Sequence, residues 1–267
     1  MKIAITGKGG VGKTTLASLL AKVYAEGGHR VVAIDADPDA NLASALGFSR
    51  EEARGIEPIA GMHDLIEERT GMRPGQTGGY YKLNPQVDDI PDRFSAIKND
   101  VRLLVMGTVK KGGGGCVCPE SVLLKGLVGH LFLRSKEVVI MDMEAGVEHL
   151  GRATATGVDA FIVVVEPGQR SLQTAEAVRR LAADIGIDKT FVVGSKVKSA
   201  DDRTFIRENL PDFEVLGFLS YSELVIEADL QGMAVFDLDA AALQEVREIR
   251  ARLDELVGER TAEQARP

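Results

Sequence analysis

The chain has 267 residues, of which 45% are hydrophobic, so it is long enough to bury one large core. Its formal net charge of -8 and isoelectric point near 5.2 argue against general nucleic-acid binding, which requires a basic surface. Two cysteines are too few for a disulfide framework.

Membrane and export signals are not recognised in the sequence. No apolar stretch approaches the length of a membrane span, and the first residues enter an apolar run directly, without the pattern of a signal peptide. We therefore expect a cytoplasmic protein that partners neither a membrane nor nucleic acid.

Apolar, β-branched runs alternate with helical patterns, which predicts an α/β fold with a mostly parallel central sheet flanked by helices on both faces. The predicted strands are 2–6, 30–35, 101–106, 137–142, 160–166, 190–195 and 214–220. We expect a single domain at 1–258 and a flexible tail at 259–267. The proline- and glycine-rich excursion at about 51–100 is predicted to hold a short helix at 62–69, and is otherwise irregular surface or a mobile functional flap.

The first predicted strand runs into Gly-Lys-Gly-Gly-Val-Gly-Lys-Thr-Thr, which begins at Gly7. Gly7, Gly12, Lys13 and Thr14 satisfy every fixed position of a phosphate-binding loop, between a strand and a helix at about 14–26. Glycines let backbone N–H groups converge on phosphate oxygens, and the helix dipole favours the anion. We expect Lys13 to bridge the outer phosphates and Thr14 to ligate Mg²⁺. The predicted phosphate contacts come from Gly9, Gly10, Val11, Gly12, Lys13, Thr14 and Thr15.

Carboxylates end two of the predicted strands. Asp35 and Asp37 follow the second strand, and Asp142 ends the fourth. Ligands of open parallel sheets bind at the carboxyl ends of the strands, so these side chains are expected beside the phosphate loop. There Asp35 would support the magnesium shell and Asp142 would reach the metal, usually through water.

Cys116 and Cys118 follow a glycine run after the third predicted strand. Two thiolates at this spacing can bind one ion, but they fill only half of a tetrahedral site. Since the chain has no other cysteine, the economical completion is the same pair from a second copy, which suits nickel or zinc. The pair is otherwise two surface thiols or a vicinal redox pair.

Lys8 is not required by the general phosphate-binding pattern. A loop with this extra lysine resembles that of the deviant Walker A ATPases, P-loop NTPases of the SIMIBI type that include MinD, the Par ATPases and the nitrogenase iron protein. The resemblance implies a homodimer in which Lys8 reaches the nucleotide of the other subunit, as an arginine finger does. It also implies that Asp37 orients or activates the attacking water.

A narrower resemblance rests on three features: the Cys-x-Cys after the glycine run, the long proline-rich excursion, and the phrase Asp-Met-Glu-Ala-Gly-Val-Glu-His-Leu that begins at Asp142. Together they look like the CooC family of nickel-insertion ATPases for carbon monoxide dehydrogenase, and like the related acetyl-CoA synthase maturation factor. The resemblance covers about 1–256. It implies an ATP-hydrolysing metallochaperone that uses ATP, Mg²⁺ and Ni²⁺ or Zn²⁺ and serves a nickel enzyme client.

Base recognition is the point where the sequence departs from the ATPase family. Members commonly hold adenine with an Asn-Lys pair after a late strand, and this chain has Ser195 and Lys196 there. No aspartate stands two residues after the lysine, as guanine would require, which favours ATP over GTP. We expect base contacts from Ser195 and Lys196, completed by backbone groups of 219–223.

Two other functions remain open. A positioning ATPase of the MinD or Par type needs a basic DNA-binding patch or a lysine-rich membrane helix, whereas the predicted last helix, at 243–256, has mixed charge. An iron-sulfur ATPase resembling the nitrogenase iron protein takes a cluster cysteine from the second switch, but here Asp142 is followed by Met-Glu-Ala.

Overall fold

A central sheet of eight strands organises the chain. The computed structural model describes residues 1–76, 80–108, 118–147, 150 and 152–264. The strands are β1 (Lys2–Gly7), β2 (Val31–Asp35), β3 (Ala96–Lys98), β4 (Val101–Val105), β5 (Val138–Asp142), β6 (Ala160–Val165), β7 (Thr190–Val197) and β8 (Glu214–Ser220). Their order is β3-β4-β2-β5-β1-β6-β7-β8, and every neighbouring pair is parallel except β3 with β4.

Helices connect the strands and cover the sheet. Within the described residues they are α1 (Lys13–Glu26), α2 (Leu42–Ala45), α3 (Arg50–Gly55), α4 (His63–Thr70), α5 (Ile90–Phe94), α6 (Pro119–Leu133), α7 (Arg152–Ala155), α8 (Gln169–Asp184), α9 (Ala200–Asn209), α10 (Glu223–Gln231), α11 (Val235–Leu238) and α12 (Ala240–Gln264). A 3₁₀ turn lies at Ile59–Gly61.

Each face of the sheet has its own apolar core. Alternate residues of β1 point to opposite faces, so Ile3 and Ile5 join α1 and α12 on one side, whereas Ala4 joins α6 and α8 on the other. The inner strands are buried on both faces, which is why they read as continuous apolar runs. The predicted α/β fold, with helices on both faces of a mostly parallel sheet, is confirmed.

The sheet has one strand more than the sequence predicts. All seven predicted strands are present, and β3 adds a short antiparallel edge beside β4. Asn99 and Asp100 connect the two strands with φ of 50° and 62°. This is the left-handed geometry that two-residue hairpins require and that Asn and Asp tolerate well. The Asn-Asp pair is therefore the sequence signal for β3, which is otherwise too short to recognise.

The excursion at 51–100 contains more regular structure than predicted. Besides the expected helix, found as α4, it holds most of α3 and all of α5 and β3. A capping box starts α3: Ser49 Oγ accepts from the Glu52 N–H, and the Glu52 carboxylate accepts from the Ser49 N–H. This capping box satisfies backbone N–H groups at the start of α3. The helix therefore begins here although the sequence has no long apolar pattern that would predict it.

The last helix is part of the core. Val246, Ile249 and Leu253 of α12 are buried on the face that also packs α1. The Tyr24 hydroxyl on α1 donates to Asp254 at 2.7 Å, which ties the two helices together. The helix continues to Gln264, into the segment predicted as a tail. In the described part of the chain, no helix combines the length and apolarity needed to cross a bilayer.

Because α12 buries its apolar stripe, we predict that Leu253→Ala lowers the free energy of unfolding by about 2–5 kcal/mol. Glu248→Ala, on the exposed side of the same helix, should change it by less than about 0.5 kcal/mol. Urea denaturation followed by circular dichroism measures both. Equal effects of the two substitutions would mean that α12 is not packed on the core.

A candidate nucleotide site at the carboxyl edge of the sheet

The loop after β1 has two positions at which the backbone requires glycine. A Cβ on Gly7 would lie 2.5 Å from the Val164 carbonyl oxygen of neighbouring β6, and Gly7 has φ of 149°. Gly12 has φ of 97° and directly precedes α1. These glycines let the chain turn from the buried strand into the helix within a few residues. The predicted phosphate loop therefore has the required strand-loop-helix context.

The start of α1 places Lys13, which is predicted to bridge the outer phosphates, beside Asp37, which is predicted to orient the attacking water. Lys13 lies in its first turn with only 7% of its side chain exposed, and no acidic side chain occupies that turn. Its amino nitrogen is 3.8 Å from an oxygen of Asp37, whose side chain is 22% exposed and so within reach of water. The helix dipole and the lysine give this point a positive potential that suits an anion.

Asp35 and Asp142 end neighbouring strands, β2 and β5, in direct register. The Thr14 hydroxyl donates to one oxygen of Asp142 at 2.6 Å, and the other oxygen, Oδ1, is buried without a partner among the described residues. Asp35 accepts from the backbone N–H groups of Leu42 at 2.9 Å and Asp37 at 3.3 Å. Two carboxylates and a hydroxyl thus converge beside Lys13.

Burial disfavours the ionised form of both carboxyl groups. Desolvation raises the pKa of Asp35 to about 7, and the nearby charge of Asp142 adds to the rise. Desolvation also raises the pKa of Asp142 to about 6, although the Thr14 hydroxyl and the Lys13 charge act in the opposite direction. A divalent cation would stabilise the ionised forms and engage the unpartnered oxygen of Asp142. A hydroxyl and carboxylates are hard oxygen ligands, so this donor set fits Mg²⁺.

Thr6 is a site residue that the sequence analysis missed. Its hydroxyl donates to the Glu144 carbonyl at 2.7 Å and accepts from the Gly146 N–H at 3.2 Å. The segment after β5 is thereby attached to the last part of β1, just before the phosphate loop. A threonine near the end of a fully buried, mostly apolar strand was the available signal, since a buried hydroxyl needs partners.

Ser195 and Lys196 contact the phosphate loop itself. Ser195 is buried, and its Oγ lies 2.9 Å from where a Cβ on Gly12 would stand, so a small residue suits this close approach. Lys196, with φ of 56°, donates from Nζ to the Gly10 carbonyl at 2.6 Å and lies 3.8 Å from Glu166. The base contacts expected from Ser195 and Lys196 stay a prediction. The support that Lys196 gives the loop, and its proximity to Glu166, were not predicted from the sequence.

The other predicted site residues differ in exposure. Gly9 and Gly10 are exposed, Val11 is buried, and Lys8 and Thr15 are half-buried. Cys116 lies outside the described residues. Cys118 directly precedes α6, and its Sγ donates to Ser121 Oγ at 3.2 Å. The described residues contain no group of three or more His, Cys, Asp or Glu side chains placed to hold a metal ion.

The fold and the loop geometry define a P-loop nucleotide-binding protein, and comparison with known families agrees. The family model of the CobQ/CobB/MinD/ParA nucleotide binding domain matches residues 2–235. The chain belongs to this family, and the prediction of a P-loop ATPase of the MinD and Par class is confirmed.

Proteins of similar sequence narrow the assignment within this family. It is 45% identical over 258 residues to the carbon monoxide dehydrogenase accessory protein CooC of Rhodospirillum rubrum, covering 97% of this chain and 98% of that protein. It is 47% identical to an uncharacterized ATP-binding protein of Methanocaldococcus jannaschii, covering 93% and 96%. The resemblance to the CooC family is confirmed.

Solved structures support the fold alone. The MinD cell division protein of Aquifex aeolicus superposes with a TM-score of 0.67 at 21% identity, covering 94% of this chain and 96% of that one. MinD of Pyrococcus horikoshii, solved with Mg-ADP, gives a TM-score of 0.66 at 18% identity, covering 97% and 98%.

The raised pKa of Asp142 predicts how stability depends on pH in the absence of Mg²⁺. Between about pH 4, the pKa in the unfolded chain, and about pH 6, the folded state keeps a proton that the unfolded state has lost, so stability falls as pH rises. Asp142→Asn removes this penalty. Its unfolding free energy should exceed that of the wild type by about 1–3 kcal/mol at pH 7.5 and by almost nothing at pH 4.

Urea titrations from pH 4 to 8 without metal measure the difference, with Asp39→Asn, an exposed carboxyl in the same region, as the control. A difference that does not change with pH would contradict the burial of an ionisable Asp142.

Proposed function

We propose that this chain is an ATP-hydrolysing metallochaperone that dimerises with nucleotide and inserts nickel into carbon monoxide dehydrogenase or acetyl-CoA synthase. The observation that carries the proposal is the similarity, over 97% of the chain, to a carbon monoxide dehydrogenase accessory protein. The Cys116 and Cys118 pair supports it, because the nickel cargo needs soft or borderline ligands.

Hydrolysis would use the groups that converge at the sheet edge. Lys13 and the N–H groups of the loop would bind the phosphates. Thr14, Asp142 and Asp35 would hold Mg²⁺, whose charge would offset that of the phosphoryl oxygens. Asp37 lies beside Lys13 and is open to water. It is therefore placed to accept a hydrogen bond from the water that attacks the outer phosphate.

Lys8 would act on the nucleotide of a second copy. It stands next to Gly9 and Gly10, which are exposed, so this part of the loop is open to a partner subunit. A lysine supplied across the interface would neutralise charge on the transferring phosphoryl group only in the closed dimer.

Cys118, one member of the cysteine pair, would lie near the same edge of the sheet. Cys118 belongs to the connection that follows β4, whose carboxyl end points the same way as that of β1. A two-fold dimer closed over the nucleotides can bring two pairs together as a four-thiolate nickel site. If the closed dimer binds the cargo more tightly, the cargo favours the closed dimer by the same free energy.

The two lysines of the loop should have separable roles. Lys13→Ala is expected to lose nucleotide binding by at least about tenfold, because it removes the charge at the phosphates. Lys8→Ala should keep nucleotide affinity but lose dimer-dependent hydrolysis. Fluorescent-nucleotide titration, gel filtration with and without ATP, and ATPase rates measured against protein concentration distinguish them. Equal losses of nucleotide affinity in the two variants would contradict the role of Lys8 across the dimer.

The cysteines should bind one metal ion per dimer. Dialysis against nickel or zinc followed by elemental analysis is expected to give this ratio, and Cys116→Ser/Cys118→Ser should abolish it. His29→Ala removes an exposed imidazole on the connection at the opposite edge of the sheet and should leave the ratio unchanged. Undiminished metal in the double cysteine variant would overturn the proposed cargo site.

A further inference from the structure

Exposed apolar side chains concentrate around α10. Ten large apolar side chains are exposed among the described residues, and five of them lie between positions 221 and 233. Ile226 and Leu230 stand one helical turn apart on α10, and Met233 follows the helix; they are 52%, 74% and 39% exposed. We call these three side chains the α10 surface. Clusters of this kind often mark interaction sites on soluble proteins.

The α10 surface is exposed because the helix touches the core through a narrow strip. Ala228 is its only buried residue. Gly232, with φ of 65°, ends the helix, and the Met233 N–H donates to the Ala228 carbonyl at 2.9 Å. This end is well defined, so the outward direction of α10 follows from its attachment and not from fraying.

Acidic residues border the α10 surface. Glu223, Glu227 and Asp229 are all exposed, they flank Ile226 and Leu230 on both sides of the helix, and α10 contains no basic residue. A membrane helix of the interfacial type has the opposite charge, because lipid surfaces are anionic. A second copy paired through α10 about a two-fold axis would bring six carboxylates together, which disfavours self-association.

Since a lipid surface and a second copy are both disfavoured, the binding partner that fits the α10 surface is a different protein. That protein presents apolar side chains bordered by Lys and Arg. Three side chains fall well short of the roughly 800 Å² per partner in a stable interface, so the contact suits a partner that binds and leaves. We propose that the α10 surface is the docking site for the nickel enzyme that receives the cargo. This rests on the proposed function, since that function supplies a partner that must be engaged transiently.

Direct binding to nickel-free carbon monoxide dehydrogenase tests the assignment. Biolayer interferometry with the full-length protein, ATP and Mg²⁺ should give an affinity that falls at least tenfold in Ile226→Ser/Leu230→Ser. Leu181→Ser on α8, a comparably exposed leucine elsewhere, should bind within twofold of the wild type. Glu227→Gln/Asp229→Asn should weaken binding and make it less sensitive to salt. Basal ATPase rate and metal per dimer should stay unchanged in every variant.

Several results would overturn the docking site. The first is that the Ile226/Leu230 variant binds the enzyme as tightly as the wild type does, and the second is that the wild type does not bind it. The third is that the variant changes its ATP-dependent oligomeric state. The fourth is that the wild type binds anionic vesicles and the variant does not. Retained metal binding and nickel transfer alongside any of these would leave the proposed function intact. Loss of metal stoichiometry in the wild type would instead count against the function itself.

Discussion

The buried pair of Asp35 and Asp142 is the constraint around which the site is arranged. Their strands are neighbours in register, so the two carboxylates must lie side by side at the sheet edge, and burial raises the pKa of both. Without a cation, two acids here cost stability; with one, the same burial strengthens their interaction with the metal. Thr14 and Lys13 face the pair because the loop after β1 turns at once into α1. The apolar core therefore excludes water from both carboxylates.

Much of this arrangement follows from sequence, because it depends on local patterns. Fully buried strands read as apolar runs, and the loop from Gly7 to Thr15 has a spacing that few other structures require. Asp35 and Asp142 could be placed beside the loop by one topological rule, that parallel strands end at a common edge.

The rest depends on tertiary contacts that the sequence does not display. Ser195 approaches Gly12, and Lys196 donates to the Gly10 carbonyl, because β7 ends behind the loop. This position of β7 can be predicted only if the order of the strands in the sheet is known. Thr6 belongs to the same class, because its partners lie about 140 residues away along the chain. The acidic border of α10 is visible in the sequence, yet its exposure is not, since the helix could equally have buried Ile226 and Leu230.

Backbone hydrogen bonds at the sheet edge limit how the strand ends around the site can move. The Met106 N–H donates to the Asp35 carbonyl, the Ala36 N–H to the Asp142 carbonyl, and the Met143 N–H to the Ile5 carbonyl, at 2.8 to 3.0 Å. These bonds lock the ends of β4, β2, β5 and β1 into one continuous edge. The strands cannot shift singly without breaking them. Any rearrangement at this edge that accompanies nucleotide binding is therefore easier in the segments beyond the strands than in the strands themselves. The segment after β5 is held by Thr6 beside the phosphate loop.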